Sequence, residues 1–130
     1  MKHRTVLTNR QHLGRRSEEA AVRFLHANGY TIAERNVRFP VGELDVVAWE
    51  GETLCFVEVR SASSAQWGGA LASVTRPKQQ RLIRAAQWYL ARRKALPPQV
   101  RFDVVAIDWE RTPPAVELVR GAFGATGHAW

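Results

Sequence analysis

The chain has 130 residues and a mass of 14.7 kDa, a size typical of one domain, and its composition is close to that of globular proteins. It contains no run approaching the roughly 20 apolar residues of a membrane-spanning helix. The polar and basic residues 1–16 do not resemble a secretory signal. A single cysteine, Cys55, excludes a disulfide framework. We therefore expect a cytoplasmic protein with no membrane partner.

Charge is distributed unevenly along the chain. The net charge is +7, and 16 of the 19 cationic side chains are arginines. Residues 61–101 contain eight basic side chains and no acidic one, whereas residues 41–60 contain five acids and one base. The basic surface suggests a polyanionic partner, and the acidic segment suggests a metal site that acts on it. Charge alone does not distinguish this from two solvated faces.

The predicted elements begin with a helix. Residues 13–28 place apolar side chains at helical spacing and are followed by Gly29, which ends the helix. Three strands follow, over residues 31–39, 43–50 and 53–60, and Gly51-Glu52 joins the last two as a hairpin.

The second half of the chain alternates helix and strand. A loop is expected over residues 61–74, then a helix from Thr75 to about Ala95, which Pro97 and Pro98 follow. Two further strands are predicted over residues 100–108 and 115–120.

The element order α-β-β-β-α-β-β predicts an α/β fold with a mixed sheet flanked by helices. Because the strand at 100–108 follows a helix, we expect it to join the sheet by a crossover, parallel to its neighbour. We expect a flexible segment over residues 1–12, a single domain over residues 13–123 and a short tail over residues 124–130.

The predicted hairpin brings two carboxylates together. A two-residue turn places Glu50 opposite Thr53, and the same register places Asp45 opposite Glu58, with Cβ atoms about 5 Å apart. Opposed like charges destabilise a sheet unless something offsets them. A divalent cation such as Mg²⁺ would do so, with the carbonyl oxygen of Val59 as a further ligand. The alternative is a surface ion network in which arginines such as Arg60 neutralise the pair.

Two more polar residues share a helix face with core positions. Glu18 lies on the face of Ala21 in the first helix, and Lys78 lies on the face of Leu82 in the second. Each side chain either approaches the sheet or reaches solvent at the edge of its apolar stripe.

At these positions the sequence resembles a known family. The matching stretches are Leu13-Gly14-Arg15-Arg16 with Glu18, Gly29-Tyr30, Arg35-Asn36, Gly42-Glu43-Leu44-Asp45, Phe56-Val57-Glu58-Val59, Lys78, Arg101-Phe102-Asp103-Val104-Val105 and Ala122-Phe123. Together they resemble the YraN-like family of small bacterial proteins, in the restriction-endonuclease-like PD-(D/E)xK nuclease superfamily. The resemblance covers about residues 13–123.

The resemblance implies a restriction-endonuclease-like αβββαβ core and a phosphodiester-cleaving site with one or two metal ions. Asp45 and Glu58 would bind Mg²⁺ or Mn²⁺, and Glu18 would complete the ligand set. The residue two positions after Glu58 would be a catalytic lysine, but this chain has Arg60 there. Arginine holds a phosphate well and accepts a proton poorly, so Lys78 is the candidate substitute.

These observations support a magnesium-dependent nuclease that acts on DNA, with branched DNA or repair intermediates as candidate substrates. The alternative is a nuclease-fold module that binds nucleic acid without cutting it. A homodimer is compatible with either interpretation. The residues expected to contact nucleic acid are Arg15, Arg16, Arg60, Trp67, Arg76, Lys78, Arg81 and Arg84. Asp103 is expected to be a buried, hydrogen-bonded carboxylate, and Cys55 a small core residue.

Overall fold

The computed structural model describes residues 8–61 and 73–124. Its elements are α1 (Asn9–Ala27), β1 (Thr31–Phe39), β2 (Gly42–Glu50), β3 (Thr53–Ser61), α2 (Arg76–Ala91), β4 (Gln99–Asp108) and β5 (Ala115–Phe123). The predicted α/β class and order of elements are confirmed, and the arrangement is consistent with a restriction-endonuclease-like αβββαβ core. Within these residues, neither helix is long and apolar enough to cross a membrane.

The five strands form one mixed sheet in the order β1-β2-β3-β4-β5. Only β3 and β4 pair in parallel, and the other neighbours are antiparallel. A parallel pair needs a long crossover connection, and α2 lies within it. The predicted parallel crossover is therefore confirmed.

The two helices cover opposite faces of the sheet. Ala21 and Leu25 of α1 belong to one buried cluster, which also contains Cys55. Leu82 and Tyr89 of α2 belong to the cluster on the other face. Burial raises the pKa of the Cys55 thiol to about 12, consistent with its predicted role as a core residue.

The start of α1 and the end of α2 differ from the predicted positions. Helix α1 begins at Asn9 instead of residue 13, because Thr8 and Gln11 form a capping box. The Gln11 N–H donates to Thr8 Oγ1 at 3.2 Å, and the Thr8 N–H donates to Gln11 Oε1 at 2.8 Å. Helix α2 ends at Ala91 and not near Ala95, because its last turn tightens and the Arg92 N–H bonds to the Tyr89 carbonyl.

The last strand is longer than predicted. It continues past residue 120 to Phe123, whose ring stacks on Phe102 of β4 with the ring centroids 4.9 Å apart. The register of β4 and β5 shifts near Gly121, which has a φ of +62° that glycine adopts without strain.

Asp103 anchors this side of the sheet. Its carboxylate is fully buried and accepts hydrogen bonds from the Tyr30 hydroxyl at 2.8 Å, Arg101 Nε at 2.8 Å and the Gly121 N–H at 3.0 Å. Arg101 also reaches Glu50 on β2, with 2.6 Å between Nη2 and Oε1. This buried charge is therefore paired and hydrogen-bonded, as expected for a structural carboxylate.

Tyr30→Phe tests the contribution of this network to stability. We expect the free energy of unfolding to fall by about 1.5–3 kcal/mol, because a hydrogen bond to a buried charge is lost. Urea denaturation measures the change. Tyr89→Phe is the matched control, since its hydroxyl donates to Glu34 at 2.9 Å and Glu34 is exposed to water. Equal losses in the two variants would contradict a special role for the Asp103 network.

Candidate metal site and nucleic-acid surface

The β2–β3 hairpin has the predicted register. Val46 pairs with Val57 and Glu50 pairs with Thr53. One step beyond Val46, the same register places Asp45 level with Glu58. The Asp45 carboxylate also accepts a hydrogen bond from the backbone N–H of Val59 on β3, with 2.9 Å between N and Oδ2. The two carboxylates are thus held together by the turn and by the ladder.

Burial makes this proximity costly. Glu58 is 4% exposed. The pKa of Asp45 is held well above its ordinary value of 3.8, chiefly by burial and then by the hydrogen bond and the charge of Glu58. The Val59 N–H and the Lys78 ammonium lower the pKa of Asp45, without cancelling these effects. The pair therefore favours a bound cation or a bound proton.

Lys78 lies beside Glu58, at the start of α2. Thr75 caps α2 by accepting the Lys78 N–H at 3.4 Å, which fixes Lys78 in the first turn of the helix. Lys78 Nζ is 3.5 Å from Glu58 Oε2, and the Lys78 side chain is 35% exposed. Lys78 therefore approaches the sheet and still reaches water, so the structure unites the two alternatives that the sequence left open.

The donor set fits a hard divalent cation. Glu58 Oε2 is buried and makes no hydrogen bond within the described part of the chain. In residues 8–61 and 73–124, no three His, Cys, Asp or Glu side chains form a group that could hold a metal ion. Mg²⁺, however, is commonly held by one or two carboxylates, with water and substrate phosphate as its other ligands. Asp45 and Glu58 meet that requirement.

Glu18 lies on α1, beside the first strand. Its Oε1 accepts hydrogen bonds from Asn36 Nδ2 at 2.7 Å and from Arg35 Nη2 at 3.3 Å. Burial raises the pKa of Glu18, the charge of Asp45 raises it further, and the contacts with Asn36 and Arg35 lower it. The charge of Asp45 therefore affects the pKa of Glu18, while the Glu18 side chain is hydrogen-bonded to two residues of β1.

Asn36 is a site residue that the sequence did not single out by function. Arg35 pairs with Val46 in the β1–β2 ladder, so Asn36 is level with Asp45 on the adjacent strand. Its φ of 53° is left-handed, a conformation that asparagine tolerates better than most residues. An asparagine inside a strand pattern was the available signal, since asparagine is rare in strands.

Arg60 lies two residues after Glu58 on β3, so strand alternation places both side chains on the same face. Arg60 is partly buried, and its Nε has no hydrogen-bond partner among residues 8–61 and 73–124. The unpartnered Nε is itself buried, so any contact of Arg60 with a phosphate would have to come from the end of its guanidinium.

The predicted nucleic-acid contacts fall on both faces of the sheet. Arg15 and Arg16 are on α1 and are exposed. Arg76, Arg81 and Arg84 are exposed on α2, the helix that also carries Lys78. The prediction for Trp67 lies outside the described residues. Basic side chains are therefore exposed on both helices, and α2 also places Lys78 beside Glu58.

Asp45→Asn tests the electrostatic cost of the carboxylate pair. The folded-state pKa of Asp45 is raised, so folded wild type holds this proton more tightly than the unfolded chain. This group therefore reduces stability progressively as the pH rises above about 4. Without metal at pH 8, we expect Asp45→Asn to melt about 3–6 °C higher than wild type. The gain should shrink toward pH 4, and thermal unfolding at several pH values measures it.

Glu43→Gln is the control for this measurement. Glu43 is on the same strand, its side chain is 41% exposed, and Arg38 Nε lies 3.7 Å from its carboxylate. An exposed ion pair of this kind contributes little to stability. The melting temperature of Glu43→Gln should therefore differ from that of wild type by less than about 2 °C at any pH. A destabilised Asp45→Asn protein at pH 8 would show that the opposed carboxylates are not under strain.

Comparison with known proteins gives the family of the chain. The model of the uncharacterised protein family UPF0102 matches residues 17–107, which include Glu18, Asp45, Glu58 and Lys78. A UPF0102 protein from Desulfosudis oleivorans is 44% identical over 120 residues, which cover 92% of this chain and 96% of the relative. A relative from Desulforapulum autotrophicum is 46% identical over 114 residues, covering 88% and 94% of the two chains.

A third relative, from Herminiimonas arsenicoxydans, is 50% identical over 101 residues, covering 78% of this chain and 81% of its own. The family match and these relatives confirm the YraN-like resemblance seen in the sequence pattern. The chain therefore belongs to the protein family UPF0102.

Proposed function

We propose that this protein is a metal-dependent nuclease that hydrolyses phosphodiester bonds in DNA. The observation that carries the proposal is the Asp45–Glu58 pair, in which the buried Glu58 Oε2 has no hydrogen bond among the described residues and faces Lys78 at 3.5 Å. Structural carboxylates at such depth are normally satisfied by hydrogen bonds. The net charge of +7 adds a general attraction for a polyanionic substrate.

Asp45 and Glu58 would hold Mg²⁺ or Mn²⁺, and Glu18 would join them through water or by a shift of its side chain. A bound cation supplies charge for the phosphate and lowers the pKa of a bound water. The Val59 N–H holds the Asp45 carboxylate in place. Asn36 and Arg35 hold Glu18, so these two side chains position a carboxylate.

Lys78 and Arg60 would contact the phosphate. The Lys78 ammonium offsets the charge of Glu58 in the resting protein, and its exposure leaves it able to reach a substrate at the same edge. Arg60 can donate two parallel hydrogen bonds to a phosphate but does not take up a proton near neutral pH. Any proton transfer by a cationic side chain here therefore falls to Lys78.

The alternative function is nucleic-acid binding without cleavage, on the same fold. Arg60 at the position of the family lysine is the observation that favours it. The three candidate metal ligands also do not form a closed group in the described residues. The two functions share a DNA-binding surface and differ in whether the carboxylates support hydrolysis.

A cleavage panel distinguishes the two functions. Labelled single-stranded, duplex, flap and four-way-junction DNA are incubated with wild type in Mg²⁺ and in Mn²⁺. We expect wild type to cut at least one of these substrates. The cleavage rate of Asp45→Ala should be at least 100-fold lower, because a ligand of the cation is removed. The cleavage rate of Lys78→Ala should be about 10²–10³-fold lower than that of wild type, as is found when other groups that stabilise developing charge are removed. Lys94→Ala, which removes one lysine beyond the end of α2, should cut normally.

Two outcomes would contradict the proposed roles. A Lys78→Ala protein that cuts as well as wild type would remove Lys78 from the reaction. A wild type that binds DNA in a salt-sensitive way but cuts no substrate with either metal would favour the binding module. In that case Arg60→Lys is the decisive variant, and a gain of cleavage would identify the natural protein as a degenerate nuclease.

A further inference from the structure

A basic groove lies along α1, away from the carboxylate pair. It has a volume of about 570 Å³. Its lining residues are His12, Arg15, Arg16, Glu19, Arg23 and Trp109. Three of the six are arginines and one is an aromatic residue from the chain just after β4. We call these six residues the α1 groove.

Arg16 is held in place within the α1 groove. Its guanidinium lies 4.4 Å from the centroid of the Trp109 ring. Trp109 is itself fixed, because its Nε1 donates to the hydroxyl of the buried Ser17 at 2.7 Å. Stacking on an aromatic face orders a guanidinium while leaving its N–H groups able to donate in the ring plane. Less entropy is then lost when an anion binds.

The positive charge of the α1 groove is largely uncompensated. Arg15, Arg16 and Arg23 form no ion pair with any residue in the described ranges. The one carboxylate in the groove, Glu19, is paired with Arg35, with 3.4 Å between Oε1 and Nη2. A multiply charged anion would therefore find free donors here.

The spacing of these arginines suits a polymeric phosphate. Arg16 and Arg23 are two turns apart on one face of α1, a distance of about 10 Å along the helix. A DNA strand carries one phosphate per 3.4 Å of axis, so this stretch matches about three phosphates. Arginine is also the side chain that best binds phosphate through two parallel hydrogen bonds.

A second cleft adjoins the α1 groove and is lined in part by Glu18, one of the three candidate metal ligands. This cleft has a volume of about 510 Å³ and shares Arg15 and Glu19 with the first. It is also lined by Arg35, Arg38, Asn36 and Glu18. Asn36 is level with Asp45 on the adjacent strand, although Asp45 and Glu58 are not among the residues that line the cleft. A strand that lies in both clefts would pass from the α1 groove to Glu18 and Asn36, which are the lining residues nearest to Asp45 in the ladder and in charge interaction.

We propose that the α1 groove binds the phosphate backbone of a DNA strand and leads that strand to Asp45 and Glu58. The destination rests on the proposed function, whereas binding in the groove requires no cleavage. The groove lies on the α1 side of the sheet, so it is separate from the arginines of α2.

A charge-matched pair of variants tests the groove. Arg15→Ala/Arg16→Ala/Arg23→Ala removes three charges from α1, and Arg92→Ala/Arg93→Ala/Lys94→Ala removes three charges from the end of α2. Binding of a fluorescein-labelled DNA single strand is measured by anisotropy in EDTA at several salt concentrations. We expect the α1 variant to bind at least tenfold more weakly at low salt, with a salt slope reduced by about 2–3. The control should change less than threefold.

Equal losses in the two triple variants would overturn the proposal, because overall charge would then explain binding. RNA of the same sequence and polyglutamate are competitors. Displacement of the DNA by polyglutamate at equal charge concentration would also overturn it, in favour of an acidic protein partner. RNA that binds more tightly than DNA and depends more on the three arginines would overturn the assignment to DNA. Arg23→Glu alone should weaken binding at least threefold, which keeps the test valid if the triple variant unfolds.

The proposed nuclease function is tested separately from binding in the groove. Asp45→Ala should retain full binding to DNA in EDTA. Loss of binding in the α1 variant, together with no cleavage by wild type, would support the groove and contradict the nuclease. Cleavage by wild type, together with unchanged DNA binding in the α1 variant, would support the nuclease and contradict the role of the groove.

Discussion

The opposition of Asp45 and Glu58 is the constraint on which the candidate site depends. A two-residue turn fixes the register of β2 and β3, and that register leaves both carboxylates level and on one side of the hairpin. A shift of either strand by one residue would move all of its side chains to the opposite face and disrupt the packing of the two buried clusters. The sheet therefore cannot relieve the repulsion by slipping. The pKa of Asp45 is raised chiefly by burial and then by the hydrogen bond and the charge of Glu58.

Asp103 is a buried carboxylate with a structural role, and its hydrogen bonds can be compared with those of Glu58. Tyr30, Arg101 and the Gly121 N–H all donate to it, and an arginine balances its charge. Glu58 is almost as deeply buried, yet one of its oxygens makes no hydrogen bond within the described residues, and its cation stands 3.5 Å away. Both carboxylates share one sheet, so the contrast shows that the hydrogen bonding of Glu58 is incomplete within the described residues.

The mixed sheet also determines which helix covers each of its faces. Because β3 and β4 are parallel, α2 crosses one face, and α1 is left to cover the other. Each helix presents arginines to solvent. Lys78 of α2 lies 3.5 Å from Glu58, whereas Glu18 of α1 bonds to Arg35 and Asn36 on β1 and interacts with Asp45 through its charge.

The sequence by itself determined the α/β class, the element order, the parallel crossover and the pairing of Asp45 with Glu58. These features depend on local periodicity and on a short turn, which act over a few residues. Helical spacing relates Lys78 to Leu82, but it left open whether Lys78 approaches the sheet or reaches solvent, and in the structure it does both. The helix ends were less well predicted, since capping by Thr8 adds a turn that apolar periodicity does not show.

Only the tertiary structure decided how Glu18 is held, what Asn36 does and where the α1 groove lies. Glu18 meets Asn36 across 18 positions of sequence, and Arg16 meets Trp109 across more than 90. Such contacts arise when separate elements pack against each other, and no local pattern encodes which side chains then become neighbours. The structure also separated satisfied from unsatisfied carboxylates, because hydrogen bonding in the interior depends on the positions of all surrounding donors.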